Sequence, residues 1–366
     1  MERFSPRVLA PLPDSYLACV LDGPKAPWRL ERVPLRLPST HEILIKVECC
    51  GLCHTDLSTQ AGELGPMVQW PTIPGHEIVG TIVALGSNVT QFVVGDRAGG
   101  TWHGGHDGLC RQCHQGFPQG CKNQIINGVS KSGGHTTAKA SLFKVGEYCI
   151  LREEAVVRVP HDAKATDVAP LLCAGVTLFN SLRHHGVKPG ETVVIQGVGG
   201  LGHLGIQYAR KMGFRVVVLS RTSSKQADAK ELGAHHFICS ESADVATELN
   251  KLGGAKLIIV TAPNSNVEQY TKCLQWQGKI IILASINNMH LDATQLLRTS
   301  SSICGWHAGS PTDCEETIEV SRLYDLKAMT ECFPLSRIQE AVDHLTKGLA
   351  RYRVVVTMEK TDPDHD

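Results

Sequence analysis

The sequence predicts an α/β chain with a doubly wound parallel sheet in its second half, and three observations carry that prediction. From Thr192 onward, short β-branched or aliphatic runs (Val193–Gln196, Arg215–Leu219, Lys256–Val260, Lys279–Leu283) alternate with helix-like segments (Leu201–Met212, Lys225–Leu232, Ser242–Leu252, Val267–Cys273). Strands that alternate with helices imply a parallel sheet covered on both faces. The run Gly197-Val198-Gly199-Gly200-Leu201-Gly202 follows the first strand and opens the first helix, the strand–turn–helix context that a dinucleotide pyrophosphate needs. Finally, 366 residues are enough for two domains, each with its own core.

Before that alternation the texture differs. Glu42–Val47 reads as a strand and Gly75–Leu85 contains another, whereas Gly99–Asn127 is dense in Gly, Cys, His and Gln and reads as an irregular loop that needs an external staple. We expect a first domain over 1–174, a cofactor domain over 175–305, and a return of 306–366 to the first domain. In that return Ile338–Gly348 is helical, Tyr352–Met358 is a strand, and the acidic tail Thr361–Asp366 is disordered.

Charge excludes some functions. Lys+Arg and Asp+Glu balance at 36 each, so there is no electrostatic case for nucleic acid or an anionic membrane surface. No apolar run approaches the ~20 residues of a membrane span. Met1–Asp14 carries Pro6, Pro11 and Pro13 and no apolar core, so it does not read as a signal peptide. Fourteen cysteines without such a signal imply a reducing, cytoplasmic setting. Cys110, Cys113 and Cys121 crowd one loop, while Cys239, Cys273, Cys304, Cys314 and Cys332 are dispersed and read as small buried apolar residues.

Cys53, His76 and Cys173 have the chemistry of a three-ligand zinc site with one coordination position open. An open Lewis acid beside a hydride carrier means alcohol or carbonyl redox chemistry. Gly75-His76-Glu77-Ile78-Val79-Gly80, continuing to Gly86 and Val89, resembles the signature of zinc-containing alcohol dehydrogenases of the medium-chain dehydrogenase/reductase superfamily. Gly51-Leu52-Cys53-His54-Thr55-Asp56 resembles the block that precedes it, and the similarity runs from about Glu42 to Met358. The resemblance implies a GroES-like, mostly-β catalytic domain and a Rossmann cofactor domain. The Cys2His catalytic set is the one alcohol dehydrogenases are known for, so its assignment here is a recognition and not a derivation.

By the same resemblance Cys53 and His76 come from the first domain and Cys173 from the domain junction. Glu77 is the carboxylate able to approach the metal, and Asp56 orients the His76 imidazole. Thr55 contacts the substrate oxygen and starts a proton relay, against the plainer reading of a strand-to-helix cap. The distal base of that relay is usually a histidine three residues on; this chain has Ser58 there, so the proton path runs through water, ribose hydroxyls or His54.

Family members often carry a C-x2-C-x2-C-x7-C lobe for a structural zinc. This chain reads Asp107-x2-Cys110-x2-Cys113-x7-Cys121. Carboxylate oxygen is an acceptable zinc ligand, so Asp107 is the expected fourth ligand, with His106 or His103 as substitutes.

For the cofactor, Gly197, Gly199 and Gly202 supply the tight turn, the close backbone approach and the helix–strand contact. Gly200 and Leu201 complete the loop at the amino end of the helix, where free N–H groups and the dipole favour anions. An NAD site usually has an Asp or Glu about 20 residues on. Here Val218-Leu219-Ser220-Arg221-Thr222-Ser223-Ser224-Lys225 has no acid. The hydroxyl of Ser220 with Arg221 and Lys225 suits a 2′-phosphate, which resembles the NADP-dependent cinnamyl alcohol dehydrogenase branch. His54 and Arg353 match positions that contact the pyrophosphate, and Thr177 one near the nicotinamide. Trp102 and Trp306 are candidate pocket residues.

The expectation is a zinc-dependent enzyme that prefers NADP(H) to NAD(H), acts on a small-molecule alcohol or aldehyde, and forms a homo-oligomer, dimer or tetramer. The rivals are a zinc-free reductase of activated double bonds from the same superfamily and a non-catalytic zinc- or NADPH-binding protein. One segment, His135–Val145, has no match in the family pattern. It reads as a dispensable surface insertion or a gene-boundary artefact, and loop-closure entropy tolerates such a bulge.

Overall fold

The structure, a computed structural model, describes residues 7, 8, 10–129, 145–263, 266–286 and 288–358. It divides into two compact units: Met1–Cys173 with Gly309–Glu319 and Ala328–Asp366, and Ala174–Ala308 with Val320–Lys327. The first boundary lies within a residue of the expected one. The C-terminal stretch differs, because Val320–Lys327 belongs to the second unit. Its anchors are a buried 2.7 Å bond between the Ser321 and Tyr208 hydroxyls and a 3.0 Å bond from Gln207 to the Lys327 carbonyl.

The first unit is built on an eight-stranded sheet. Its central strand, Glu42–Leu52, pairs antiparallel with Ile78–Leu85 on one side and with Tyr148–Arg152 and Arg353–Thr357 on the other. That strand runs five residues past the expected Val47 because Cys49 to Leu52 are themselves buried against neighbours. Ile43, Leu44, Ile45, Ile78, Ile82, Leu85 and Val354 lead the core beneath it. Gly99–Asn127 is mostly irregular, as expected, with the short strands Arg97–Gly100, His103–Gly105 and Ile125–Ile126, the helical turn Arg111–His114 and the 3-10 turn Pro118–Gly120.

Most of the unmatched segment His135–Val145, like the tail Thr361–Asp366, lies outside the described residues. Val145 is described, and it corrects the insertion reading at that end. It is fully buried, its N–H donates to the Pro74 carbonyl (3.0 Å), and its own carbonyl accepts from Cys19 (2.8 Å). Val145 is part of the core.

The second unit is a six-stranded sheet in the order His236–Cys239, Arg215–Ser220, Thr192–Gln196, Ala255–Val260, Leu274–Ile282, Ser302–Gly305. Every neighbouring pair is parallel. Chain order reverses between Thr192–Gln196 and Ala255–Val260, and in such sheets ligands bind at the carboxyl ends of the strands beside that switch point. Val193, Val194, Ile195 and Leu257 to Val260 have no exposed surface, which is why these strands read as unbroken apolar runs. The edge strand His236–Cys239 escapes sequence reading because His235-His236-Phe237-Ile238-Cys239 has too few aliphatics to stand out.

Candidate metal and cofactor sites

Cys53 follows the central strand of the first unit and caps the helix His54–Ala61. Asp56, in that helix, holds two segments at once. Its Oδ2 accepts the Cys53 N–H (2.8 Å) and its Oδ1 accepts the Gly75 N–H (3.0 Å), while Oδ1 also lies 3.4 Å from His76 Nδ1. The short 3-10 turn Ala169–Leu172 delivers Cys173. The two thiol sulfurs are 3.9 Å apart, and ligand atoms of Cys53, His76, Glu77 and Cys173 all lie within 4.8 Å of one another.

The electrostatics of this group fit a metal. His76 and Glu77 have no exposed surface. His76 Nε2 and Glu77 Oε2 are buried with no hydrogen-bond partner among the described residues, a state that natural interiors avoid unless a ligand or ion satisfies the atom. The contact with Cys173 holds the Cys53 thiol well below its ordinary range, helped by His76. For His76, burial pulls downward but is outweighed by Asp56 and Cys53, so its pKa lies well above the usual imidazole range. Two thiols and an imidazole form a borderline-soft set suited to zinc.

Arg353 has a partner that no motif announces. Its side chain is 4% exposed and is ion-paired with Glu77 Oε1. It is the counter-charge of the carboxylate beside the ligands, and its Nε has no hydrogen-bond partner among the described residues. Thr55 sits with Oγ1 3.7 Å from Cys53 Sγ, close enough to serve a group bound there. His54 is exposed at the first turn of its helix. The Ser58 hydroxyl donates to Glu63 Oε2 at 2.6 Å, so the relay position that lacks a histidine has a carboxylate next to it. Trp102 meets the His76 ring edge-on, with centroids 5.2 Å apart, whereas Trp306 packs between His184 and His185 in the second unit.

Sequence reading missed a support beneath Cys173. The buried Thr101 hydroxyl donates to the carbonyl of Leu172 and receives a contact from Cys314 Sγ at 3.4 Å. No motif marks this threonine; only the fold brings it to residue 172.

A second cluster joins Asp107, Cys110, Cys113 and Cys121, whose ligand atoms also lie within 4.8 Å. Asp107 Oδ1 is 3.7 Å from Cys113 Sγ and 3.4 Å from Cys121 Sγ. Backbone N–H groups of Cys113 and Lys122 lower the Cys110 thiol to about 7, so part of it is thiolate near neutrality. The alternatives His103 and His106 instead bond each other at 2.9 Å. Three sulfurs and a carboxylate oxygen make a closed four-ligand set of the structural kind.

In the second unit Gly197 takes φ +96° and its N–H donates to Leu219 (2.8 Å). A Cβ on Gly202 would stand 1.8 Å from the Gly197 carbonyl oxygen, so no larger residue closes this turn. Gly202 thus makes the close approach to the strand ends expected of it, and Gly205 adds a second, helix-to-helix one, where a Cβ would meet Leu178 at 2.7 Å. Space beside Gly199 is open, while Gly200 and Leu201 are half-buried as the chain enters the helix Gly202–Lys211. This leaves a cradle of backbone at a helix amino end, which suits a pyrophosphate. Ser220 ends its strand, Arg221 follows exposed, and Lys225 closes the turn Ser223–Lys225. The Arg221 guanidinium has no hydrogen bond or ion pair among the described residues. Thr177 is buried in the helix Ala174–Arg183.

Residues 39–161 match the alcohol dehydrogenase GroES-like domain, and residues 200–322 match the zinc-binding dehydrogenase domain. The chain is 43% identical to alcohol dehydrogenase patD of Penicillium expansum over 94% of its own length and 98% of that protein. It is 34% identical to cinnamyl alcohol dehydrogenase 5 of Arabidopsis thaliana, over 90% and 92%. Among solved structures, the cinnamyl alcohol dehydrogenase SbCAD4 of Sorghum bicolor superposes with a TM-score of 0.85 at 26% identity, covering 95% of this chain and 99% of that one. The chain belongs to the zinc-containing alcohol dehydrogenase family of the medium-chain dehydrogenase/reductase superfamily. It is an alcohol oxidoreductase with a GroES-like domain and a Rossmann domain, and its cofactors are zinc and a nicotinamide dinucleotide.

Proposed function

We propose that this enzyme interconverts primary alcohols and aldehydes and prefers NADP(H) to NAD(H). The observation that carries the first part is the group of buried Cys53 and His76 with half-buried Cys173, in which His76 Nε2 has no hydrogen-bond partner among the described residues. Cys53, His76 and Cys173 would hold the catalytic zinc, which when bound polarises the substrate oxygen and favours its alkoxide form. A bound dinucleotide would supply or accept the hydride. Thr55 Oγ1 is the atom we assign to the substrate hydroxyl proton, and Ser58, bonded to Glu63, stands where that proton leaves. Asp56 fixes the ring of His76, and Arg353 neutralises Glu77.

The cofactor preference rests on Ser220, Arg221 and Lys225. A strand that ends in a hydroxyl and an unengaged guanidinium, with no carboxylate in reach along Ser220–Lys225, favours a 2′-phosphate over a ribose diol. Asp107, Cys110, Cys113 and Cys121 would hold a second, structural zinc. The fourteen cysteines support a cytoplasmic location.

We also propose a homo-oligomer, a dimer or a tetramer. Among the described residues Ser302–Gly305 ends its sheet and pairs on one side, an edge of the kind that proteins rarely leave bare. Leu297, just before it, is 80% exposed. A two-fold axis at that edge would pair it with its own copy.

Metal analysis of active enzyme, with kcat/KM for NADPH and NADH on a panel of alcohols and aldehydes, tests this reading. Less than one zinc per active chain would remove the mechanism, and equal kcat/KM for the two cofactors would remove the preference.

A further inference from the structure

The cysteine lobe departs from its family pattern at one ligand, and the surrounding atoms explain how a carboxylate can stand there. Asp107 is longer-reaching than a cysteine and has two equivalent oxygens, so by itself it can rotate, chelate through both, or swing to solvent. In the structure those freedoms are removed. The side-chain amide of Asn123 donates to Asp107 Oδ2 at 2.6 Å. Oδ1 is left as the oxygen facing the sulfurs, 3.4 Å from Cys121 and 3.7 Å from Cys113. Backbone N–H groups of Leu109 (2.8 Å) and Cys110 (3.3 Å) fix the same oxygen from the loop side. Asn123 makes a second contact with the cluster, its own N–H pointing at Cys121 Sγ (3.3 Å). One residue thereby touches two of the four ligands.

We propose that Asn123 is the positioning residue that makes Asp107 a single-oxygen zinc ligand, and that the Asp107–Asn123 pair replaces the missing fourth cysteine as a unit. This rests on the structural-zinc reading of the lobe. A cysteine at residue 107 has no second atom to hold, so the side chain of Asn123 should matter only while residue 107 is a carboxylate. The backbone N–H contact to Cys121 survives any side-chain change, so it does not confuse the comparison. Outer partners of metal ligands typically contribute about 10- to 100-fold in metal affinity.

The test uses full-length zinc-loaded enzyme in four forms: parent, Asn123→Ala, Asp107→Cys, and both together. Zinc release to a metallochromic chelator is followed in time, and total zinc per chain is counted before and after. Cobalt-exchanged samples report the ligand field of the lobe by visible absorption. Asn123→Ala should release one zinc per chain about 10-fold faster than parent and alter the cobalt spectrum. In the Asp107→Cys background the same change should do neither. Equal acceleration in both backgrounds would show that Asn123 is a loop-stabilising residue and overturn the proposal, as would an unchanged Asn123→Ala. A parent enzyme with only one zinc per chain would instead overturn the structural-zinc reading, and this proposal with it, so the two failures are distinguishable.

Discussion

The hydroxyl of Thr101 donates to the carbonyl of Leu172, the residue immediately before the ligand Cys173. Both partners are fully buried, so the bond cannot be replaced by water. Thr101→Val keeps the shape and removes the donor, leaving the buried carbonyl with only the distant Cys314 thiol at 4.0 Å. The expected cost is about 1–3 kcal/mol of stability together with faster loss of the catalytic zinc on dialysis against chelator. Thr101→Ser should restore both. A valine variant that keeps its zinc as well as the parent would show that the bond supports the fold and not the ligand.

The two clusters should fail in different ways. Cys53→Ser and His76→Ala are expected to abolish turnover while the second unit still binds dinucleotide, as read by cofactor fluorescence. Cys110→Ser should lower the melting temperature, because a closed metal site contributes folding energy. Its kcat per catalytic zinc should stay close to parent. If Cys110→Ser instead abolishes turnover at temperatures where it is folded, the separation of roles is wrong.

Arg221→Ala should narrow the gap between NADPH and NADH. A charge-assisted hydrogen bond contributes about 1.5–3 kcal/mol, so kcat/KM with NADPH should fall roughly 10- to 150-fold while the NADH value changes little. An equal fall with both cofactors would assign Arg221 to a part of the cofactor they share.

His185 predicts an acid dependence of stability. Burial lowers its pKa from 6.5 to about 4, helped by Lys279 and His184. The folded imidazole thus stays neutral where the unfolded one takes a proton. Between pH 6.5 and about 4 the unfolded chain binds more protons, so stability falls as the pH falls through that window. Melting temperatures across it should drop less steeply for His185→Gln than for the parent. Parallel slopes would remove His185 as the cause.

Val145→Ala probes the end of the unmatched segment. A fully buried valine bonded through its backbone to Pro74 and Cys19 should cost about 1–3 kcal/mol when trimmed, read from the denaturant midpoint. A neutral substitution would mean that the segment reaches as far as Val145 after all.

What the sequence disclosed and what it hid divide along physical lines. Local patterns were readable. The glycine turn before a helix, the apolar runs of buried parallel strands, and the Asp107/Cys110/Cys113/Cys121 spacing each depend on neighbours in the chain. Long-range pairings were not. Nothing near Arg353 announces that it will face Glu77, and nothing near Asn123 marks it as the holder of an aspartate 16 residues away. Gly205 looks like one more glycine until Leu178 is seen against it. Val320–Lys327 follows the second unit because of Tyr208 and Gln207, two side chains over a hundred residues earlier.

The pairing of Arg353 with Glu77 has a consequence in the order of synthesis. The two residues are 276 positions apart, and at about 5–20 residues per second the carboxylate waits on the order of tens of seconds for its partner. Cys53, His76 and Cys173 have all been made by then. A chain made only that far carries all three ligands and a carboxylate whose counter-charge is not yet synthesised. The arrival of Arg353 engages one oxygen of Glu77.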